Sequence, residues 1–145
     1  MIYLDTSAFI KLYIREEYSN SVNEEVTGQD QPLPFCFLHR IEMRNALNLK
    51  LFRNEISTRD VERLIQLMQD RLREGIYATP QVDVSDLTST AVELTRHTSK
   101  LGCRSLDILH VATATILKPD RFITFDDRQQ QLAQAVGLPV NDISA

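Results

Sequence analysis

Residues 1–10, MIYLDTSAFI, decide the fold class. The apolar residues Ile2, Tyr3 and Leu4 predict a short buried strand, and Asp5 follows it directly, where the sequence turns into a helix. Short apolar strands separated by helices are typical of a parallel sheet that is covered on both faces. We therefore predict an α/β fold, a three-layer α/β/α sandwich with a central, mainly parallel sheet.

The remainder of the chain continues this alternation. Hydrophobic spacing predicts further strands at residues 35–38, 121–125 and 137–140, with a short extended piece within residues 76–84. It predicts helices at residues 6–13, 19–26, 39–53, 57–72, from Ser85 or Asp86 to 101, 106–117 and 127–136. The expected caps of three of these helices are Ser57 (with Asp60 in the first turn), Ser105 and Asp127. The 145 residues fit a single domain, residues 1–145.

The composition favours a globular protein of a reducing compartment. Apolar residues make up 43% of the chain and charged residues 25%, which allows a core and argues against disorder. No apolar run approaches the roughly 20 residues that cross a bilayer, and the N-terminus lacks the features of a signal peptide. Cys36 and Cys103 are far apart and are better interpreted as buried thiols than as a disulfide. We expect a cytoplasmic protein with no membrane segment.

The net charge of −4 is the main argument against a nucleic-acid-binding function. Proteins that bind nucleic acid through bulk electrostatics are usually basic. An enzyme that holds phosphate through metal ions needs an acidic pocket first, and the bound cations then reverse the local sign. The acidic balance is therefore compatible with phosphate chemistry but does not support it.

Two acids follow strands of the predicted sheet. Asp5 ends the first strand and Asp126 ends the strand at residues 121–125. The carboxyl ends of parallel strands gather functional groups at one edge of a sheet, so we expect these carboxylates to converge. Asp5 could instead be a helix cap, but Thr6 and Ser7 are available for that role.

Two further acids lie in predicted helices. Asp107 is in the first turn of a helix that is apolar on nearly every side, so it must cap locally or face a cation. Ser105 is the expected cap, which favours the cation. Glu42 is equally well explained as a surface acid at the favourable end of a helix dipole.

The adjacent acids Asp126 and Asp127 are given different roles. Asp127 with Gln130 three positions later resembles a capping box, which leaves Asp126 without a helix duty and makes it the better ligand candidate. Whether Asp127 joins the site or only caps the helix stays open.

Four converging carboxylates are the ligand set that Mg²⁺ and Mn²⁺ prefer, and two such ions suit phosphodiester cleavage. His39, His97 and His110 are scattered in sequence, although His110 lies one turn after Asp107 and could line the pocket. The prediction requires that the acidic oxygens converge and that no lysine or arginine of the same chain neutralises them.

The four acids and their surroundings resemble the PIN domain, and specifically the VapC toxins of prokaryotic toxin–antitoxin pairs. The matching segments are residues 2–13, 40–43, 105–114 and 122–126. Residues 54–84 carry no motif, so neither the dimer surface nor the antitoxin groove can be placed from sequence. Each motif alone is weak, but their order and spacing within a chain of this size are fairly specific.

The resemblance implies an endoribonuclease that uses Mg²⁺ or Mn²⁺ and hydrolyses RNA through metal-activated water, leaving a 5′-phosphate. It places the metal ligands on Asp5, Glu42, Asp107 and Asp126, supported by hydrogen bonds from Ser7 and Thr124. It also implies a structured RNA substrate, a homodimer, and a cognate antitoxin that covers the acidic pocket.

Basic residues near the motifs are candidates for contact with RNA phosphates. They are Lys11, Arg15, Arg40 and Arg44. Each is explained at least as well as a solvated helix charge.

Three other functions are alternatives for a small acidic α/β domain. A phospho-receiver module needs paired acids after the first strand and a lysine late in the sheet, and this sequence has neither. A phosphatase with an Asp nucleophile needs a second acid two positions after Asp5, where Ser7 stands. A non-catalytic RNA- or protein-binding domain of the same fold stays open, although the presence of all four acids counts against it.

Overall fold

The sheet consists of parallel pairs. In a computed structural model, which describes residues 1–140 and 143, the strands are β1 (Ile2–Leu4), β2 (Leu33–Pro34), β3 (Tyr77–Ala78) and β4 (Arg121–Ile123). β1 pairs with β4, and β2, which lies beside β1, pairs with β3. Phe122 also forms a parallel bridge with Val140, at the end of the predicted strand 137–140.

Eight α-helices surround the sheet among the described residues. They are α1 (Thr6–Phe9), α2 (Ser19–Thr27), α3 (Phe37–Phe52), α4 (Thr58–Arg73), α5 (Val84–Leu94), α6 (Thr98–Leu101), α7 (Ser105–Leu117) and α8 (Asp127–Ala135). The helix predicted at residues 6–13 ends in a 3₁₀ turn, Ile10–Leu12, and the one predicted to run to residue 101 is interrupted by a 3₁₀ turn, Thr95–His97. No helix of the described part is long and apolar enough to cross a membrane.

The two faces of the sheet pack into two separate cores. Leu4 and Ile123 point into a cluster built by α1 to α4, while Tyr3 and Phe122 point into a cluster built by α5, α7 and α8. Successive residues of a strand face opposite sides, so helices must cover both. This arrangement confirms the predicted three-layer α/β/α sandwich.

The strand predicted at residues 35–38 is wrong. The β2 ladder ends at Pro34, and α3 already begins at Phe37 with Cys36 as its N-cap. The reason is the side chain of His39, whose Nδ1 accepts a hydrogen bond from the Cys36 backbone at 3.1 Å and turns the chain into the helix. An apolar run of four residues does not distinguish a strand from a buried first helical turn.

The cap predictions have mixed outcomes. Ser57 caps α4 as predicted, in a capping box with Asp60. For α5 the prediction of Ser85 or Asp86 is wrong, because Asp83 accepts hydrogen bonds from the backbone amides of both. Val84, the first residue of α5, is 75% exposed and lies off the buried face that Leu87 and Leu94 form, so the apolar pattern begins after the helix does.

We expect Phe122→Ala to destabilise the protein by about 3–5 kcal/mol, the usual cost of removing a buried Phe side chain. The Phe122 ring is fully buried and stacks on Tyr3 with ring centroids 5.6 Å apart. The matched control is Phe52→Ala, because Phe52 is 83% exposed at the end of α3. Urea unfolding followed by circular dichroism measures both, and equal losses would contradict the assignment of the core.

Candidate active site

Asp5 is fully buried where β1 passes into α1. Its Oδ1 accepts hydrogen bonds from Ser7 Oγ at 2.7 Å and from the Ala8 amide at 2.9 Å, and its Oδ2 accepts one from Thr124 Oγ1 at 2.8 Å. Asp5 is therefore the N-cap of α1, and the expectation that Thr6 or Ser7 would take that role is wrong. Burial raises the pKa of Asp5 although the positive field of His110 and these hydrogen bonds oppose it.

The register of the sheet brings Thr124 to Asp5. Leu4 pairs with Ile123 in parallel, and the Asp5 amide donates to the Ile123 carbonyl at 3.0 Å, so the next residues of both strands meet. Ser7 Oγ also accepts a hydrogen bond from the Phe125 amide at 2.8 Å. The two residues expected to support the acids, Ser7 and Thr124, thus both donate to Asp5 and tie α1 to the end of β4.

Glu42 faces the interior and not only the solvent. His110 Nε2 lies 2.5 Å from Glu42 Oε1, and Thr6 Oγ1 donates to the same oxygen at 3.2 Å. His110 is fully buried, and its Nδ1 lies 2.9 Å from the Tyr3 hydroxyl. A carboxylate only accepts hydrogen bonds, so His110 donates to Glu42 through Nε2. These hydrogen bonds hold the Glu42 carboxylate next to Thr6 and His110.

Asp126, which the sequence left without a structural role, caps a helix. Its Oδ1 accepts hydrogen bonds from the amides of Arg128 at 2.9 Å and Gln129 at 3.1 Å, which makes Asp126 the N-cap of α8. The prediction that Asp127 caps this helix is wrong, because β4 ends earlier than expected and α8 begins at Asp127. One carboxylate can cap and bind at once, since Asp126 Oδ2 is turned to Arg104 Nη2 at 3.0 Å.

Asp107 both caps a helix and faces a cation. Its Oδ2 accepts a hydrogen bond from the backbone amide of Arg104 at 2.7 Å, and Arg104, not Ser105, occupies the N-cap position of α7. The Arg104 guanidinium approaches the same carboxylate, with Nε 3.2 Å from Oδ2 and Nη2 3.3 Å from Oδ1. Gln129 Nε2 completes the surroundings at 3.4 Å from Oδ1. The two roles considered for Asp107 are therefore not alternatives.

Hydrogen bonds link the segments that carry the four predicted acids, and the carboxylates of Asp107 and Asp126 share the Arg104 guanidinium. Thr124 Oγ1 donates to the Asp5 carboxylate and accepts from the Asp126 backbone amide, and Thr6, the residue after Asp5, donates to Glu42. Within residues 1–140 and 143, however, no three carboxylate, imidazole or thiol groups are gathered closely enough to hold one metal ion. The condition that no arginine neutralises the acids also fails at Asp107 and Asp126.

The residue types nevertheless fit Mg²⁺ or Mn²⁺. Asp107 and Asp126 come from different helices and already share one cation, the Arg104 guanidinium. The raised pKa of Asp5 indicates that its hydrogen bonds do not fully compensate the burial of its charge. A divalent cation next to these oxygens would balance that charge.

The basic candidates for RNA contact lie at different distances from the four acids along the surface: Lys11 is near Asp126, whereas Arg40 and Arg44 are on another side of α3. Lys11 lies 3.4 Å from Glu16 and above the ring of Phe125, the residue before Asp126. Arg15 is exposed between α1 and α2. Arg40 and Arg44 line a groove between α3 and α4, on the side of α3 away from Glu42.

Sequence reasoning missed several polar partners of the acids. They are Thr6, Arg104, His110 and Gln129, with Tyr3 behind His110. Arg104 precedes Asp107 by three residues, a spacing that favours an ion pair at a helix start, so this partner could have been found. The contacts of Tyr3 and Thr6 connect residues about a hundred positions apart, and no local pattern predicts them.

The fold and the site define a small α/β protein with carboxylates at the carboxyl ends of its central parallel strands. The family model described as "PIN domain" matches residues 2–135. This chain belongs to the PIN domain family. Phospho-receiver modules and Asp-nucleophile phosphatases are therefore no longer candidates.

Similar proteins cover nearly the whole chain. Ribonuclease VapC46 of Mycobacterium tuberculosis (strain ATCC 25618 / H37Rv) is 27% identical over 141 residues, which covers 96% of this chain and 95% of the relative. Ribonuclease VapC47 of Mycobacterium tuberculosis (strain CDC 1551 / Oshkosh) is 30% identical over 143 residues, with 94% and 93% covered. The crystal structure of FitAcB from Neisseria gonorrhoeae has a TM-score of 0.63 at 15% identity, covering 98% of this chain and 97% of that one, a likeness of fold.

The buried His39 beneath the site predicts a dependence of stability on pH. Burial, and next the charge of His110, lower the pKa of His39 to about 3. Its Nε2 donates to the Leu4 carbonyl at 2.7 Å and its Nδ1 accepts from Cys36, so the folded state holds the neutral ring. The unfolded chain takes up a proton near pH 6.5, so His39 reduces stability progressively as the pH falls from 6.5 toward 3.

We expect the free energy of unfolding of wild type to fall over this range more steeply than that of His39→Gln. The variant will be less stable at neutral pH, because a buried ring is lost. Urea titrations at several pH values measure the slopes. Parallel slopes for the two proteins would contradict a buried neutral His39.

Proposed function

We propose that this protein is a Mg²⁺- or Mn²⁺-dependent endoribonuclease, the toxin component of a type II toxin–antitoxin pair. The observation that carries the proposal is the pairing of Asp107 and Asp126, from two different helices, on one cationic group, while Thr124 contacts both the buried Asp5 and the Asp126 amide. Similarity to two ribonucleases over nearly the full chain supports the same conclusion.

In this proposal the metal ligands are Asp5, Glu42, Asp107 and Asp126. A divalent cation held there would activate water and neutralise charge on the RNA phosphate. Ser7 and Thr124 fix the Asp5 carboxylate through their hydroxyls, and His110 fixes Glu42, so these ligands are oriented before the cation binds. Asp107 and Asp126 are held by hydrogen bonds that they accept from the backbone amides of Arg104 and Arg128.

The RNA is proposed to approach over Lys11, Arg15, Arg40 and Arg44. Lys11 is the best placed of these, because it contacts the ring of Phe125, directly before Asp126. Arg40 and Arg44 face the groove along α4, so they would serve an extended or structured substrate. Contacts of this kind add affinity without reading sequence.

The proposal includes a cognate antitoxin, a homodimer and a cytoplasmic location, as the resemblance to VapC toxins implies. Exposed apolar side chains along α3 support a protein-binding surface: Phe37, Ile41, Leu49 and Phe52. The free buried thiols of Cys36 and Cys103 fit a reducing compartment.

A non-catalytic PIN-like binding domain is the second candidate. The observation in its favour is Arg104, which neutralises two of the four acids. The two candidates differ in one property, since binding without cleavage survives the loss of Asp5 while catalysis does not.

We expect the purified protein to cleave RNA in Mg²⁺ or Mn²⁺ and to lose that activity in EDTA. Asp5→Asn and Asp126→Asn should each lower the cleavage rate by about 100-fold or more, because a charged ligand is lost. Asparagine caps helices as well as aspartate does, so Asp126→Asn retains the start of α8. Cleavage of a labelled structured RNA, resolved on a denaturing gel, measures the rates.

The matched control is Asp127→Asn, which removes an exposed carboxylate one residue away. A rate near that of wild type would leave Asp127 outside the metal site. Cleavage that persists in EDTA, or in Asp5→Asn, would refute the proposed mechanism. RNA binding without cleavage under every condition would favour the non-catalytic candidate.

Induced expression without an antitoxin should stop the growth of a bacterial host, since cleavage of cellular RNA blocks translation. The Asp5→Asn variant, at the same protein level, should not. Colony counts after induction, with protein levels checked by immunoblot, measure this. Equal growth arrest by both proteins would show that toxicity does not come from the acidic site.

A further inference from the structure

We propose that Arg104 is a built-in counter-ion of the metal site, which holds Asp107 and Asp126 in the metal-free protein and competes with the divalent cation for them. This inference rests on the proposed metal site and adds a residue that opposes metal binding.

The contacts of Arg104 carry the first step. Its Nη2 lies 3.3 Å from Asp107 Oδ1 and 3.0 Å from Asp126 Oδ2, and its Nε lies 3.2 Å from Asp107 Oδ2. The planar guanidinium thus spans two carboxylates on separate helices. A metal ion bound to both acids would need the same oxygens, so the two cations cannot both be held in this way.

The charge balance favours exchange. One positive charge faces Asp107 and Asp126 together, and Asp5 and Glu42 add two further negative charges nearby. Arginine leaves that cluster with a net negative charge, whereas one or two divalent ions would balance it better. Arg104 therefore relieves repulsion between the acids in the metal-free state without compensating all of it.

The side chain can leave at small cost. Its exposed fraction is 64%, compared with 2% for the side chain of Asp107. Water screens the exposed guanidinium and its contact with Asp126, which contributes little stability, and a bound divalent cation would replace Arg104 as the partner of the buried Asp107. The N-cap contact of α7 uses the backbone amide of Arg104, 2.7 Å from Asp107 Oδ2, so the start of the helix does not need the guanidinium.

The alternative role for Arg104 is permanent preorganisation. An arginine that only holds the two acids at the right separation would raise metal affinity, and its removal would weaken binding. A competing arginine lowers metal affinity, and its removal strengthens binding. The two roles predict opposite signs.

The test is Mn²⁺ binding to the full chain by isothermal titration calorimetry, for wild type, Arg104→Gln and Arg104→Lys. We expect Arg104→Gln to bind about three- to ten-fold more tightly, in line with the loss of one exposed, multidentate ion pair. Lysine is a point charge without the planar fork, so Arg104→Lys should fall between wild type and Arg104→Gln.

The matched control is Arg96→Gln. Arg96 has the same exposed fraction, 64%, and forms a helical ion pair with Glu93. It removes the same charge away from the site, so its Mn²⁺ affinity should equal that of wild type. An equal gain in Arg96→Gln and Arg104→Gln would reduce the effect to net charge and overturn the proposal.

A second measurement uses wild type alone. In ¹H–¹⁵N spectra, the Nε–H signal of Arg104, assigned by its absence from Arg104→Lys, should shift on addition of Mg²⁺ as the contact with Asp107 is broken. This readout decides the question if Arg104→Gln does not fold. An Arg104 signal that stays unchanged at saturating Mg²⁺ would overturn the proposal.

The outcomes separate this inference from the proposed function. If wild type and Arg104→Gln both fail to bind Mn²⁺, the proposed metal site is wrong and this inference with it. If wild type binds Mn²⁺ and Arg104→Gln binds equally or more weakly, only the counter-ion role is refuted.

Discussion

The buried carboxylate of Asp5 is the constraint on which the site depends. Burying a charge is costly unless it is hydrogen-bonded or paired, and Asp5 has no exposed surface. Its hydrogen bonds come from α1 and from the residue that follows β4. The same contacts therefore stabilise the carboxylate, start the first helix and attach it to the neighbouring strand. The sheet register thus supplies, through Thr124, one of the hydrogen bonds that the buried Asp5 carboxylate needs.

Two other acids likewise have a structural role and a place in the candidate site at the same time. Asp126 caps α8 with one oxygen and turns the other toward Arg104, and Asp107 accepts the backbone amide of the α7 N-cap residue, Arg104, while facing its guanidinium. Anchoring of this kind fixes carboxylates that would otherwise repel one another. It also explains why an acid with a clear structural role need not be excluded as a ligand.

Beneath the site lies a layer of buried polar rings. Tyr3, His39 and His110 lie close together. His110 connects the sheet to Glu42, because one ring nitrogen contacts Tyr3 on β1 and the other contacts the Glu42 carboxylate. Such a network is stable because its members find partners within it or on the backbone. Glu42 is thereby positioned from below, by residues on β1 and α7, although it belongs to α3.

Local sequence was sufficient for the parallel α/β architecture and for most helices, because strand and helix periodicity are local properties. It also placed Asp5 and Asp126 near the carboxyl ends of two paired strands, where the structure has them. It was not sufficient for the caps at Asp5, Asp83 and Asp126 or for the end of the predicted strand at residues 35–38. Those depend on which of several neighbouring polar groups meets an unpaired amide, which packing decides. Tertiary structure alone brought Thr124 to Asp5, His110 to Glu42, and Asp126 to the Arg104 that Asp107 also contacts. Contacts between residues distant in sequence follow from sheet register and helix docking, and no short segment contains that information.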